Sequence, residues 1–154
     1  MARAVHPAPG GRADVGDSVT TDDGTRDRVR FGLRRPGKPL GVALQVADPR
    51  TQTGLAIRLA EALTADGLVA EIISADSRQV YRGLDIGTAK ATPQDRARVI
   101  HHGLDLVDPD EVFTVAAFDA HVGGVLASLG ARGGVALLVG GTGFYLRSVM
   151  RGLD

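Results

Sequence analysis

The chain has 154 residues, 44% hydrophobic and 23% charged, with 18 Lys/Arg balancing 18 Asp/Glu; this length supports one domain around one core, and the composition excludes collagen and coiled coil. No run approaches the roughly 20 consecutive apolar residues of a spanning helix, and the first residues lack the apolar centre of a signal peptide, so no membrane partner is expected and cytoplasmic residence is. With no cysteine, disulfides, thiolate-bound zinc and thiol nucleophiles are impossible, and any chemistry must use oxygen, nitrogen or bound metal.

Residues 1–40 hold eight Lys/Arg against five Asp, and residues 41–154 hold ten against thirteen acids. Residues 1–39 mix Pro, Gly, Asp and Arg without a sustained period of 2 or 3.6, which predicts a disordered extension. The remainder, 40–154, is mildly acidic and shows no broad basic footprint for nucleic acid.

From Leu40 the pattern becomes strand, loop, helix. Residues 40–46 (LGVALQV) predict a buried strand, and Leu55, Leu59, Ala60 and Leu63 share one face of a helix over 54–63 that stops at Ala65-Asp66-Gly67. Val69–Ile73 predicts the second strand. A long loop follows, and then a short helix over 93–99 with Thr92 as N-cap and Pro93 in its first turn. Residues 102–107 predict a third strand, and Thr114 caps a helix to about Leu129, in which Gly123-Gly124 costs about 1 kcal/mol per glycine relative to alanine. Residues 133–139 (GGVALLV) form the clearest buried strand, leading through Gly140-Gly141-Thr142-Gly143 into a helix over 144–151. This β-α-β-α-β-α-β-α order, with continuous apolar strands, predicts a parallel sheet covered on both faces. Ligands of such sheets bind beyond the carboxyl ends of the strands. Residues 46–53, 74–90 and 140–143 all lie there.

A phosphate-binding loop uses glycines to let backbone N–H groups wrap an anion, a lysine for the outer phosphates and Ser/Thr for magnesium. Against GxxxxGK[ST], the window Val46-Ala47-Asp48-Pro49-Arg50-Thr51-Gln52-Thr53 matches only at Thr53. Gln52 stands at the lysine position, Pro49 removes a donor and Asp48 adds negative charge, which leaves Arg50 as the available cation. A plain strand-to-helix turn is the simpler expectation. Asp76 follows a strand by a few residues, flanked by Ser77, Arg78 and Gln79; it is a candidate general base or metal-water ligand, or a turn aspartate bonding its own backbone. Asp85 and Lys90 on the same stretch read as a surface ion pair. The 140–143 turn could offer N–H groups and the Thr142 hydroxyl to an anion. His101 and His102 point to opposite faces if they lie on a strand, so one packed and one exposed histidine are expected.

Together, SADSRQVYRGLDIGTAK (74–90), HHGLDLVDPDE (101–111) and LLVGGTGFYLRSVMRGL (137–153) resemble the tRNA dimethylallyltransferases of the IPP transferase family, over about residues 55–154. The resemblance implies a P-loop NTPase-like α/β fold that transfers the dimethylallyl group of dimethylallyl diphosphate to N6 of the adenosine 3′ of the tRNA anticodon, with Mg2+ on the diphosphate. It implies Asp76 as general base, Ser77, Arg78 and Gln79 as the stretch that holds a flipped-out base, Thr142 as a tRNA contact near the reacting adenosine, and Thr53 as the metal-side hydroxyl. The family's phosphate loop reads GPTASGK[ST], and both glycines and the lysine are missing here. Ile100 replaces the family's proline before the histidine pair, and Gly103 a larger apolar residue. The sequence therefore predicts a truncated, degenerate-loop relative that is inactive alone. A small nucleotide- or phosphate-binding module using Arg50 and the Gly140 turn, and a non-catalytic interaction protein, are the alternatives.

Overall fold

The structure, a computed structural model, describes residues 28–31, 40–45 and 48–153. Five strands form one sheet: β1 (Arg28–Phe31), β2 (Leu40–Gln45), β3 (Ala70–Ser74), β4 (His101–His102) and β5 (Val135–Val139), in the order β1-β2-β5-β3-β4. Strands β2, β5, β3 and β4 run parallel, with Leu40 and Ala70 both opposite Val135. The predicted parallel core is present. At its edge β1 pairs antiparallel with β2, Arg28 opposite Gln45, so the sheet is mixed. That strand lies inside the 1–39 segment expected to be disordered, and for its four residues the expectation is corrected; residues 1–27 and 32–39 lie outside the described residues.

Alternation along β5 divides the core in two, because successive side chains of a strand point to opposite faces. Val135, Leu137 and Val139 pack with Ala56, Ile57 and Ala60 of α1 (Pro49–Ala65), while Ala136 and Leu138 pack with Phe118, Val122 and Leu129 of α3 (Val115–Ala131) and with Tyr145 and Val149 of α4 (Gly143–Leu153). All five β5 residues are buried, which explains their unbroken apolar run. Helix α2 (Pro93–Arg98) carries a full capping box: Thr92 accepts from the Asp95 N–H, and Asp95 accepts from the Thr92 N–H. It is the helix expected from Thr92-Pro93. Gly123 and Gly124 stay helical in α3, with open space around both.

Two elements differ from the sequence expectation. Helix α1 begins at Pro49, not residue 54, because Asp48 is its N-cap and Pro49 fills its first turn, where the missing N–H has no intrahelical partner to lose. Strand β4 ends at His102 instead of continuing to 107. Gly103 (φ 80°) and Asp105 (φ 53°) turn the chain out of extended backbone, and the N–H groups of Asp105 and Leu106 then bond the carbonyls of Gln79 and Val80. A single parallel bridge, Tyr81 to Val107, remains of the longer strand.

Candidate active site

The carboxyl ends of β3 and β5 are stitched together by backbone. The Ala75 N–H donates to the Val139 carbonyl at 2.7 Å, and the Thr142 N–H donates to the Ala75 carbonyl at 3.2 Å. A Cβ on Gly140 would stand 2.5 Å from the Ala75 carbonyl group, so this crossing needs glycine. Side chains extend the seam: the Ser77 N–H donates to Thr142 Oγ1 at 3.0 Å, and the Thr142 hydroxyl donates to Ser77 Oγ at 3.3 Å. Two segments 65 residues apart thus meet at the position expected for a ligand of a parallel sheet.

Asp76 lies at this seam with its side chain 16% exposed. Its Oδ1 accepts from the Arg78 N–H at 2.8 Å, and the Arg78 guanidinium is 3.6 Å from the same oxygen. The self-bonding turn anticipated for this aspartate is therefore real, but it engages one oxygen; among the hydrogen bonds of the described residues, none falls on Oδ2. Gln79 is tied at both ends of its amide, accepting from Ser74 Oγ at 2.6 Å and donating to the Thr88 carbonyl at 2.9 Å. Ser74, which flanks Asp76 in sequence, and Thr88, in the same 74–90 motif, are thus part of the site's frame.

Asp76, Arg78, Gln79, Ser74, His101 and Gly141 line a cavity of about 140 Å³. That is well under the ~300 Å³ at which pockets for drug-sized ligands begin, room for one small group and not for a whole nucleotide. His101 donates from Nδ1 to the Val99 carbonyl at 2.8 Å, and burial holds its pKa below the ordinary histidine value. His102, on the opposite face, donates from Nε2 to the buried Glu71 at 2.7 Å, and Glu71 is also paired with Arg132. Both histidines are half-buried and both have partners, so the expected packed-and-exposed division is replaced by two anchored rings.

Lys90 departs furthest from its expectation. Its side chain is 1% exposed, and its ammonium donates to the Tyr81 carbonyl and to the carboxylates of Asp85 and Asp105 at 2.7–2.8 Å. Arg96 completes the knot at 2.6 Å from the other oxygen of Asp105. The pair read as superficial is a buried tie that closes the 81–105 loop behind Asp76.

The described part of the window, residues 48–53, makes no anion cradle. Val46 and Ala47 lie outside the described residues; Pro49 to Thr53 are helical. Asp48 caps α1, accepting from the N–H and hydroxyl of Thr51, and these bonds hold its carboxyl below the usual carboxylate range. A carboxylate thereby occupies the helix end that a phosphate would use. Gln52 is buried and donates to the Leu44 carbonyl at 2.7 Å, and Thr53 donates to the Pro49 carbonyl at 3.1 Å, a turn into the helix. Gln52 and Thr53 border the Asp76 cavity; Arg50 borders an adjoining, wider cleft with Arg82 and Lys90, and Thr53 and Ala91 line both. Thr53 and Asp76 line the same cavity, with the Thr53 hydroxyl bonded to the Pro49 carbonyl, and among the described residues no group of three or more His, Asp or Glu stands together as a metal site. No helix among them is long and apolar enough to cross a membrane.

Comparison with known proteins decides the kinship. Residues 79–154 match the family model described as IPP transferase. Over that region the chain is similar to the IPP transferase family. Across 101 residues, 66% of the chain, it is 52% identical to the tRNA dimethylallyltransferase of a Roseiflexus species. Two solved structures agree: the tRNA isopentenylpyrophosphate transferase of Bacillus halodurans, at TM-score 0.60 and 41% identity over 67% of this chain, and that of Staphylococcus epidermidis, at 0.58 and 36% over 65%. The chain spans about a third of the length of each of these IPP transferases (32%, 32% and 31%). Its sheet is accordingly the P-loop NTPase-like α/β fold of these structures, and the family match begins at Gln79, three residues after Asp76, and includes the Thr142 motif.

Proposed function

We propose that this chain carries the amine-side half of a tRNA dimethylallyltransferase site. The observation that carries the reading is Asp76, held at the β3–β5 seam by one oxygen and lining a cavity sized for one small group. In the reaction, N6 of the adenosine attacks the allylic carbon of dimethylallyl diphosphate. The C–N bond forms, Asp76 takes the N6 proton, and the C–O bond breaks with its electron pair leaving on diphosphate. Thr142 and Ser77 fix the turn that presents Asp76, Gln79 fixes the wall behind it, and exposed Arg78 meets the RNA at the rim. Extruding the base into so narrow a cavity is the usual means of reaching a nucleobase atom.

Among the described residues, the 48–53 segment supplies no clamp for the leaving diphosphate. Donors and cations aimed at developing charge contribute a large share of such barriers, and here Asp48 occupies the helix end where they belong. Transfer by the chain alone is therefore not expected, and no step is assigned to magnesium. Two measurements test this. Incubation with tRNA and labelled dimethylallyl diphosphate should give no prenylated tRNA, and efficient transfer would overturn the missing-clamp argument. An anticodon stem-loop RNA should shift the amide resonances of Asp76, Ser77 and Thr142; resonances unmoved at millimolar RNA would overturn the assignment of the site.

A further inference from the structure

Helix α4 buries one face and leaves an aromatic ring on the other. Tyr145 and Val149 pack into the core, Tyr145 stacked on Phe118 with ring centroids 4.0 Å apart. Phe144 is 69% exposed. A single exposed apolar residue is ordinary, but two observations set this ring apart. Arg147, a neighbour on the helix surface at a spacing of three, places its guanidinium 4.8 Å from the ring centroid. The arginine also lies 3.5 Å from where a Cβ of Gly143 would stand, so it sits close along the helix start. Moreover, Phe144 follows Thr142 by two residues, and the Thr142 hydroxyl is bonded to Ser77 beside Asp76. Arg78, with its side chain 66% exposed, stands at the Asp76 cavity. Helix α4 itself carries no acidic residue.

We propose that Phe144 and Arg147 form a stacking platform for one nucleobase of single-stranded RNA, the base adjoining the adenosine that enters the Asp76 cavity. This deepens the proposed function and rests on its RNA substrate. Aromatic rings and guanidinium planes are the surfaces on which unpaired bases stack, and the arrangement tolerates any base because each has a π-face. The charge of Arg147 polarises the ring on one side and, with Arg78, complements a phosphate backbone. An apolar peptide or a second protein chain would gain little from a lone ring flanked by an exposed cation.

The chain contains no tryptophan, so Phe144→Trp installs a single emitter at the platform. Anticodon stem-loop RNA should quench its fluorescence, and an abasic nucleotide on one side of the reacting adenosine should relieve the quench. Phe144→Ala should weaken RNA binding about 5- to 100-fold, while Phe144→Tyr retains it. If the RNA shifts the Asp76 and Thr142 resonances but leaves the tryptophan unquenched, the platform is wrong and the site assignment stands. If neither responds, both fall. A quench that abasic RNA relieves, without shifts at Asp76, shows stacking of a base whose neighbour does not enter the Asp76 cavity, and overturns both the proposal and the assigned site. Emission that changes with protein concentration in the absence of RNA gives the ring to a second copy of the chain and overturns the proposal.

Discussion

The carboxyl ends of β2 and β3 flank β5 on either side, and each is followed within three residues by an aspartate. Their environments differ. Asp48 is exposed, closes over the start of α1 and neutralises a helix end that would otherwise attract an anion. Asp76 lies inside a cavity whose walls are cross-linked to the β5 turn. The same residue type after a strand thus serves as a stopper in one place and as a reactive candidate in the other. The difference is set by what the neighbouring segment bonds to: the first turn of α1 bonds to Asp48, to itself and, through Gln52, to the Leu44 carbonyl, while the 75–79 turn bonds to residues 139–142.

The strongest way to break this contrast is to remove the tie behind Asp76. Lys90→Ala leaves Asp105 and the Tyr81 carbonyl without their buried cation, and should cost about 3 kcal/mol, the low end for breaking a buried ion pair because Asp85 is largely exposed; urea unfolding measures it. Next is the backbone crossing. Gly140→Ala forces a methyl against the Ala75 carbonyl and should cost about 2 kcal/mol by overpacking, with Asp76 displaced and the stem-loop-induced resonance shifts lost. Thr142→Val removes the bonds to Ser77 and should cost about 1 kcal/mol, again on the β3–β5 side only. At the other junction, Asp48→Ala should lower the urea midpoint less than Gly140→Ala does and leave RNA-induced shifts at Asp76 unchanged. If it abolished those shifts, the two strand ends would not be separate.

Acid should produce the smallest effect. Burial depresses the pKa of His101, and of His121, whose Nε2 is buried without a hydrogen-bond partner. Groups with folded pKa values below their unfolded ones take up protons first in the unfolded chain, so their contribution is fully present above about pH 6.5 and is lost as pH falls below it. Stability measured from pH 7.5 to 5.5 should decline shallowly, and His121→Phe should flatten the slope. Glu71 and Asp105, held below the usual carboxylate range against desolvation by Arg132 with His102 and by Lys90 with Arg96, should add a second loss at more acid pH.

Much of this arrangement was legible in the sequence. The unbroken apolar run of β5 and the Thr92-Pro93 start of α2 encode themselves locally, and the position of Asp76 follows from the strand before it. The start of α1 was also written, as Asp48-Pro49, an N-cap followed by a first-turn proline; comparison with a phosphate-loop pattern obscured it. Other features depend on partners distant in sequence. Lys90 is buried because Tyr81, Asp85 and Asp105 converge on it, and no window around Lys90 contains that information. The early end of β4 likewise needs the 79–81 backbone, which takes the hydrogen bonds a longer strand would have used. Gln79 likewise has its amide bonded to Ser74 and Thr88 while it lines the Asp76 cavity, and those bonds depend on the path of the 74–88 backbone.

Strand β1 bears on solubility. A parallel sheet ending at β2 would present a row of unpaired N–H and C=O groups to any extended chain, and such edges template aggregation. By lying antiparallel along β2, Arg28–Phe31 occupies that row, and its sequence alternates arginine with apolar residues. A segment whose composition suggests an expendable leader therefore acts as a guard for the sheet. A chain begun at residue 34 should fold its core yet lose colloidal stability, forming light-scattering assemblies at concentrations where the intact protein stays clear.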